Sequence, residues 1–97
     1  MIRHVVMMKF KPEVSQEQQI EFVKQANGTL GQIPGVKNLI SGSALNIDGK
    51  PAYDGALFID FDDEAKFKAY LDHPIHKAAA AQLPTMFSEV LALDCQY

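Results

Sequence analysis

The stretch from Ile2 to Phe10 is apolar at its centre on both alternating parities. Ile2, His4, Val6, Met8 and Phe10 fall on one; Arg3, Val5, Met7 and Lys9 fall on the other. Successive side chains of a strand point to opposite faces, so a strand with one face in water alternates cleanly between apolar and polar. Val5 and Met7 break that alternation and require cover on both faces. Tyr53 to Phe61 repeats the pattern, with Leu57, Ile59 and Phe61 on one parity and Ala56 and Phe58 on the other. A chain of 97 residues holds one domain, 1–97, and too few helices to cover two sheet faces. The second cover is therefore expected from another copy of the chain. A domain this small buries only about 60% of its unfolded surface, which favours association on its own account.

The segments between the strands read as helices. Ser15-Gln16-Glu17-Gln18 has the form of a capping box, in which the Ser15 hydroxyl accepts from the amide of Gln18 and the Gln18 side chain reaches back. Phe22, Val23, Ala26, Leu30 and Ile33 follow at helical spacing, and Pro34-Gly35 is expected to terminate the helix. Val36 to Ser43 reads as a second strand, and Leu45 to Tyr53, with Asp48-Gly49 and Pro51, as a long and flexible connection. Asp63 is a candidate N-cap for a helix carrying Phe67, Tyr70 and Leu71 on one face. His73-Pro74 starts a further helical piece through Lys77 and the Ala78 to Ala81 run, which Pro84 ends or kinks. Glu89 to Gln96 is the last strand. The order is the β-α-β-β-α-β ferredoxin-like plan of an α+β domain, with its helices on one face of a four-stranded antiparallel sheet. Two such sheets packed face to face make a dimeric α+β barrel.

Charge narrows the function classes. Nine Lys and Arg against twelve Asp and Glu give a net charge of −3, and the basic residues are scattered. Phosphate neutralisation needs a basic patch, so neither nucleic acid nor an anionic membrane is an expected partner. Cys95 is the single cysteine, which rules out an intrachain disulfide framework and reads as a small hydrophobe. The opening residues alternate rather than forming an apolar signal core, and no run approaches the roughly 20 apolar residues of a membrane span. The expected compartment is the cytosol, where the sequon Asn27-Gly28-Thr29 is a chance match.

Several stretches together resemble the stress-responsive A/B-barrel (Dabb) family: His4-Val5-Val6-Met7-Met8-Lys9-Phe10-Lys11, Ile33-Pro34-Gly35-Val36, Ala56 to Phe61, Tyr70-Leu71-Asp72-His73-Pro74-Ile75-His76, and Val90-Leu91-Ala92-Leu93-Asp94. The YxxHPxH stretch is the most specific of these. The resemblance implies a dimeric α+β barrel, cytosolic and often linked to stress responses, with no cofactor common to the family. It also implies kinship with a plant branch that closes polyketide rings by an aldol-type condensation without metal or cofactor. Matched to that branch, His76 falls at the catalytic base, Tyr70 at the donor tyrosine and His4 at a supporting pocket residue. Ala26 stands where that branch carries another pocket tyrosine, which removes a hydroxyl and enlarges or opens the pocket. Magnesium held by main-chain carbonyls in some members would fall near Leu30, Ile33 and Val36.

Read from the residues, His4, Tyr70, His73 and His76 are the grouping with chemical potential. Removing a proton beside a carbonyl needs a base that titrates near neutrality and a donor for the oxyanion that forms, tasks that suit an imidazole and a phenol. Each residue also has a structural reading. His73 is either a cap before its proline or a polar anchor for a ligand, and His76 either fixes the helix break or lines a pocket. Tyr70 is either a core aromatic or a donor. His73 and His76 lie across a proline break with no cysteine or carboxylate to complete a zinc spacing, so no side-chain metal site is expected. Three functions stay open: a homodimer binding a small apolar or aromatic ligand, a cofactor-free cyclase or lyase, and a barrel that serves assembly alone.

Overall fold

A computed structural model describes residues 1–97 as four strands and three helices. In chain order these are β1 (Ile2–Phe10), α1 (Gln16–Leu30), β2 (Lys37–Ser43), β3 (Gly55–Phe61), α2 (Glu64–Asp72), α3 (Pro74–Met86) and β4 (Phe87–Gln96). The strands form one antiparallel sheet in the order β2-β3-β1-β4, which is the ferredoxin-like plan with its second helix in two pieces.

Side-chain chemistry sets the helix ends. The Ser15 hydroxyl accepts from Gln18 N at 3.1 Å and the Gln18 side chain accepts from Ser15 N at 2.8 Å, completing the capping box. Asp63 accepts from Lys66 N at 2.9 Å and starts α2. α1 ends at Leu30, short of Pro34, because the chain tightens into a turn in which Gln32 N bonds Thr29 O and Ile33 N bonds Leu30 O. Leu30 and Ile33 both remain buried through that turn. Pro84 does not end α3, which continues to Met86. A proline in the last turn forfeits one backbone bond, and the following turn is closed by Phe87 N to Leu83 O.

The parities divide as their chemistry requires. Ile2, His4 and Met8 of β1 and Leu57, Ile59 and Phe61 of β3 are buried beneath the helices, in a core shared with Leu30, Phe67, Tyr70 and Phe87. On the opposite face Val5 pairs with Phe58 and Leu93, and Met7 with Ala56 and Leu91. Leu91 and Leu93 there are 50% and 61% exposed, and Ile40 beside Phe58 is 57% exposed. Asp60, on the same open face, is nonetheless 1% exposed. Arg3 grips it with Nε at 2.7 Å and Nη2 at 2.9 Å, and Asn38 Nδ2 donates to it at 2.9 Å. This fork of charge-assisted bonds holds the Asp60 carboxyl well below the usual carboxylate range. Asn38 adopts φ 51 inside an irregularity of the β2–β3 register, a conformation that asparagine tolerates better than most residues.

The seating of α1 shapes the space beneath it. Only Leu30 of this helix is fully buried, while Phe22, Val23 and Ala26 are half-buried, so the helix is seated firmly at its C-terminal end and stands off the sheet along the rest. At the far corner of the sheet the connection 44–54 closes at its base, where Ala44 N bonds Asp54 O at 2.9 Å and Asp54 N bonds Met8 O at 2.8 Å.

Gly55 lies against β2 so closely that a Cβ would meet the Gly42 carbonyl oxygen at 2.8 Å, whereas a Cβ on Gly42 meets nothing within 4 Å. Gly55→Ala is expected to lower the unfolding free energy by about 1–3 kcal/mol through overpacking, and Gly42→Ala to change it by less than about 0.5 kcal/mol. Urea denaturation of the two variants checks the asymmetry.

Candidate functional site

The stand-off of α1 leaves a cavity of about 90 Å³ between α1, α3 and the sheet. β1 contributes His4, Val6 and Met8, α1 contributes Phe22, Val23, Ala26, Asn27 and Leu30, and β2 and β3 contribute Ser41 and Leu57. Tyr70 at the end of α2 and His76, Ala79, Ala80 and Leu83 of α3 complete the wall. The lining is mostly apolar, so its few polar groups act in a medium that strengthens their electrostatics.

The break between α2 and α3 brings the chemistry together. His73 accepts from Ile75 N through its Nδ1 at 3.1 Å and caps α3, with Pro74 at the first helical position. The turn it makes carries Tyr70 and His76, six positions apart, to a ring-centroid distance of 4.6 Å. His4, from the central strand, lies 6.0 Å from Tyr70 and 5.2 Å from Phe67. His4, Tyr70, His76 and Ala26 thus share one cavity, and His73 stands outside its wall.

Each ring has one position committed and one open. His76 Nδ1–H donates to the Leu71 carbonyl at 3.1 Å, which leaves Nε2 with its lone pair. Burial holds the His76 imidazole below its usual value of 6.5, with the nearby His4 pushing the same way and the bond to Leu71 opposing. His4 Nδ1 bonds Asp94 Oδ1 at 2.5 Å, which fixes the ring and leaves its Nε2 open as well. Tyr70 is 1% exposed, and its hydroxyl bonds to no group of the chain. Burial alone pushes that phenol up to about 12, so it stays protonated at any working pH and keeps its hydrogen to donate. The assembly therefore offers a neutral imidazole base and an unspent phenol donor on one small apolar space.

Asp94 entered the sequence reading only as the end of the Val90–Asp94 stretch, with no role at a site. Its sole signal was a carboxylate on the parity of Val90 and Ala92, and only the register that pairs it with His4 gives that signal meaning. Asn27 and Ser41 were likewise missed. Their side chains bond one another at 2.8 and 3.1 Å across the α1–β2 gap and form a polar spot in the lining. At the end of α1, the Leu30 and Ile33 carbonyls already accept the amides of Ile33 and Val36, and no carboxylate stands between Leu30 and Val36. That neutral, partly spent donor set fits a tightly held divalent cation poorly.

The family model for the stress responsive A/B barrel domain matches residues 2–97. The chain belongs to this family. Olivetolic acid cyclase of Cannabis sativa is 23% identical over 94 residues, covering 96% of this chain and 93% of the cyclase. Among solved structures, a dimeric ferredoxin-like protein of unknown function from Thermobifida fusca YX is 34% identical with a TM-score of 0.84, covering 99% of this chain and 90% of that one. A hydroxynitrile lyase from Passiflora edulis shares the fold at 21% identity and a TM-score of 0.86, covering 97% of this chain and 90% of the lyase. This A/B-barrel domain has no helix long and apolar enough to cross a membrane.

A histidine held low by burial titrates nearer 6.5 once unfolded, so its contribution to stability is present above that pH and is lost as pH falls below it. In an NMR titration His76 is expected to show a midpoint below 6.5, and His4→Asn is expected to raise it. A His76 midpoint at or above 6.5 in the parent protein would contradict the burial described.

Proposed function

We propose that this A/B-barrel protein is a homodimeric, cofactor-independent acid–base catalyst that holds a small apolar or aromatic carbonyl compound in the cavity of each subunit. The observation that carries the reading is the hydroxyl of the buried Tyr70 ring, which opens on an apolar cavity beside His76 with no partner in the chain. No buried side-chain oxygen or nitrogen of the chain is left unpaired, so this hydroxyl faces the open space of the cavity, where a ligand oxygen can accept from it. The cyclase and lyase names carried by relatives support the same class of chemistry.

In this reading the carbonyl oxygen of the ligand accepts from Tyr70, and His76 Nε2 takes a proton from the adjacent carbon. The electron pair of the broken C–H bond moves to the carbonyl oxygen, where Tyr70 stabilises the oxyanion. The enolate carbon then either regains a proton from the His76 imidazolium or attacks a second carbonyl, forming a carbon–carbon bond. In the second case the new alkoxide takes the proton. His4, steadied by Asp94, orders the reacting end of the cavity. The cavity of about 90 Å³ is smaller than the roughly 150 Å³ that accommodates benzene in an engineered core, so an aromatic body extends beyond it. The adjoining groove between α1 and α3, lined by Phe22, Ala26, Ile75 and Ala79, offers apolar room.

Proton exchange tests the chemistry without knowledge of the natural substrate. The protein is expected to accelerate deuterium uptake at the methyl group of acetophenone in D2O, followed by NMR. His76→Ala and Tyr70→Phe should each slow the catalysed exchange by roughly 100-fold. Full exchange in His76→Ala would remove that residue from the base's role, and binding without exchange would leave a ligand-binding module.

The dimer rests on the open face, where Val5, Met7, Phe58, Leu91 and Leu93 form a contiguous apolar surface on paired strands. A second copy packed face to face at about 10 Å would bury both. Sedimentation is expected to give twice the 10.8 kDa chain mass, with Leu93→Asp shifting the population towards monomer. A stable monomer of the parent chain at micromolar concentration would overturn this.

A further inference from the structure

The polar groups of the cavity fall at two ends. His4, Tyr70 and His76 mark one; the hydrogen-bonded pair Asn27 and Ser41 marks the other. Register gives the separation. Ser41 pairs with Leu57, and Leu57 with Val6, so Ser41 lies two strands across from β1 and two residues along from His4. Two strand spacings are roughly 10 Å and two residues roughly 7 Å, which places the two backbones about 12 Å apart. A ligand that touches both ends spans the length of the cavity, and an aromatic body that does so extends past its roughly 90 Å³ into the spaces that adjoin it.

The pair is also a partition. Asn27 and Ser41 line the cavity on one side and, on the other, a larger cleft of about 580 Å³ whose wall includes Gln16, Gln19, Lys24, Ser43 and Asp54. Asn27 lies on the inward face of α1, the face that Phe22, Val23, Ala26 and Leu30 otherwise make apolar. An amide there bonded to a single hydroxyl keeps donor and acceptor capacity unspent, since an asparagine side chain offers two donors and two acceptor lone pairs.

We infer that the Asn27–Ser41 pair is a second polar subsite, which selects carbonyl ligands bearing a hydroxyl group across the apolar body from the reacting end. This deepens the acid–base reading above and rests on it for the position of the carbonyl. The hydroxyl accepts from Asn27 Nδ2 or donates to Oδ1, and substituents beyond it continue into the larger cleft. A purely apolar body gains nothing from this wall and is directed to the groove between α1 and α3 instead.

Two ketones of nearly equal shape test the inference: 4-hydroxyacetophenone and 4-methylacetophenone. Binding is measured by NMR titration and turnover by methyl deuterium exchange. The parent protein is expected to prefer the hydroxy ketone by roughly 3- to 10-fold in binding, the worth of one hydrogen bond to a neutral group. Asn27→Val and Ser41→Ala should each bring that ratio to one or below. His76→Ala should keep it, because selection at the far wall does not use the base. The parent's own preference is the primary readout, and no folding defect can produce it. Equal binding of the two ketones by the parent, or a preference that survives Asn27→Val, overturns the subsite even if exchange proceeds. A hydroxyl preference in binding that Asn27→Val abolishes, without exchange, upholds the subsite and removes the catalytic reading. Failure to bind either ketone overturns both.

Discussion

A sheet whose strands are apolar on both parities is the constraint on which the rest of this structure depends. Each residue of β1 and β3 is assigned to a face by position alone, and neither face can be left to water without cost. The helices satisfy one of them. Since α1 bears down fully only at Leu30, they do so incompletely, and the shortfall is the cavity. The same strand that supplies Val5 and Met7 to the open face supplies His4, Val6 and Met8 to the cavity floor. Covering one face and furnishing the other are thus two demands on a single run of nine residues.

The histidines divide labour through the helix break. His73 spends its ring on the Ile75 amide, and that capping bond sets the angle at which α3 departs from α2. His76, in the first turn of α3, spends Nδ1 on the Leu71 carbonyl and keeps Nε2. One imidazole is structural so that another can be positioned. Tyr70 completes the arrangement because its ring belongs to the core, packed 5.0 Å from Phe61, while its hydroxyl does not. A residue anchored by its aromatic body and unspent at its tip is held in place without the hydrogen bond that would neutralise it.

Most of the fold was legible in the sequence because its signals are local. The capping box at Ser15, the Asp63 cap, the His73-Pro74 restart and the two-sided strands all act within a few residues. The end of α1 was less so: Pro34 marks where a helix must have stopped, not where it does, and buried Leu30 and Ile33 keep helical spacing through a tighter turn. Pro84 misleads for a related reason, as a last turn has little left to lose. The site divides along the same line. Tyr70 and His76 are near in sequence and could be read as a group. The His4–Asp94 and Asn27–Ser41 pairs join residues whose meeting depends on strand register and on how a helix lies across it, and no local pattern encodes either. The Dabb resemblance supplied Ala26 and, in its last stretch, included Asp94, but it gave no role to Asp94, Asn27 or Ser41.

The wall of the cavity has one further property. Ala26, Ala79 and Ala80 occupy it with the smallest side chains that keep a helix intact; Ala79 and Ala80 lie one turn along α3 from His76, while Ala26 stands across the cavity on α1. Enlarging Ala26 would redraw the volume from a helix that carries neither His76 nor Tyr70. Change in ligand shape and change in reactivity are therefore separable by mutation in this framework, and a lineage can explore new ligands at Ala26 while its chemistry stays in place. The helix break and the strand register form the fixed instrument; Ala26 is its adjustable fitting.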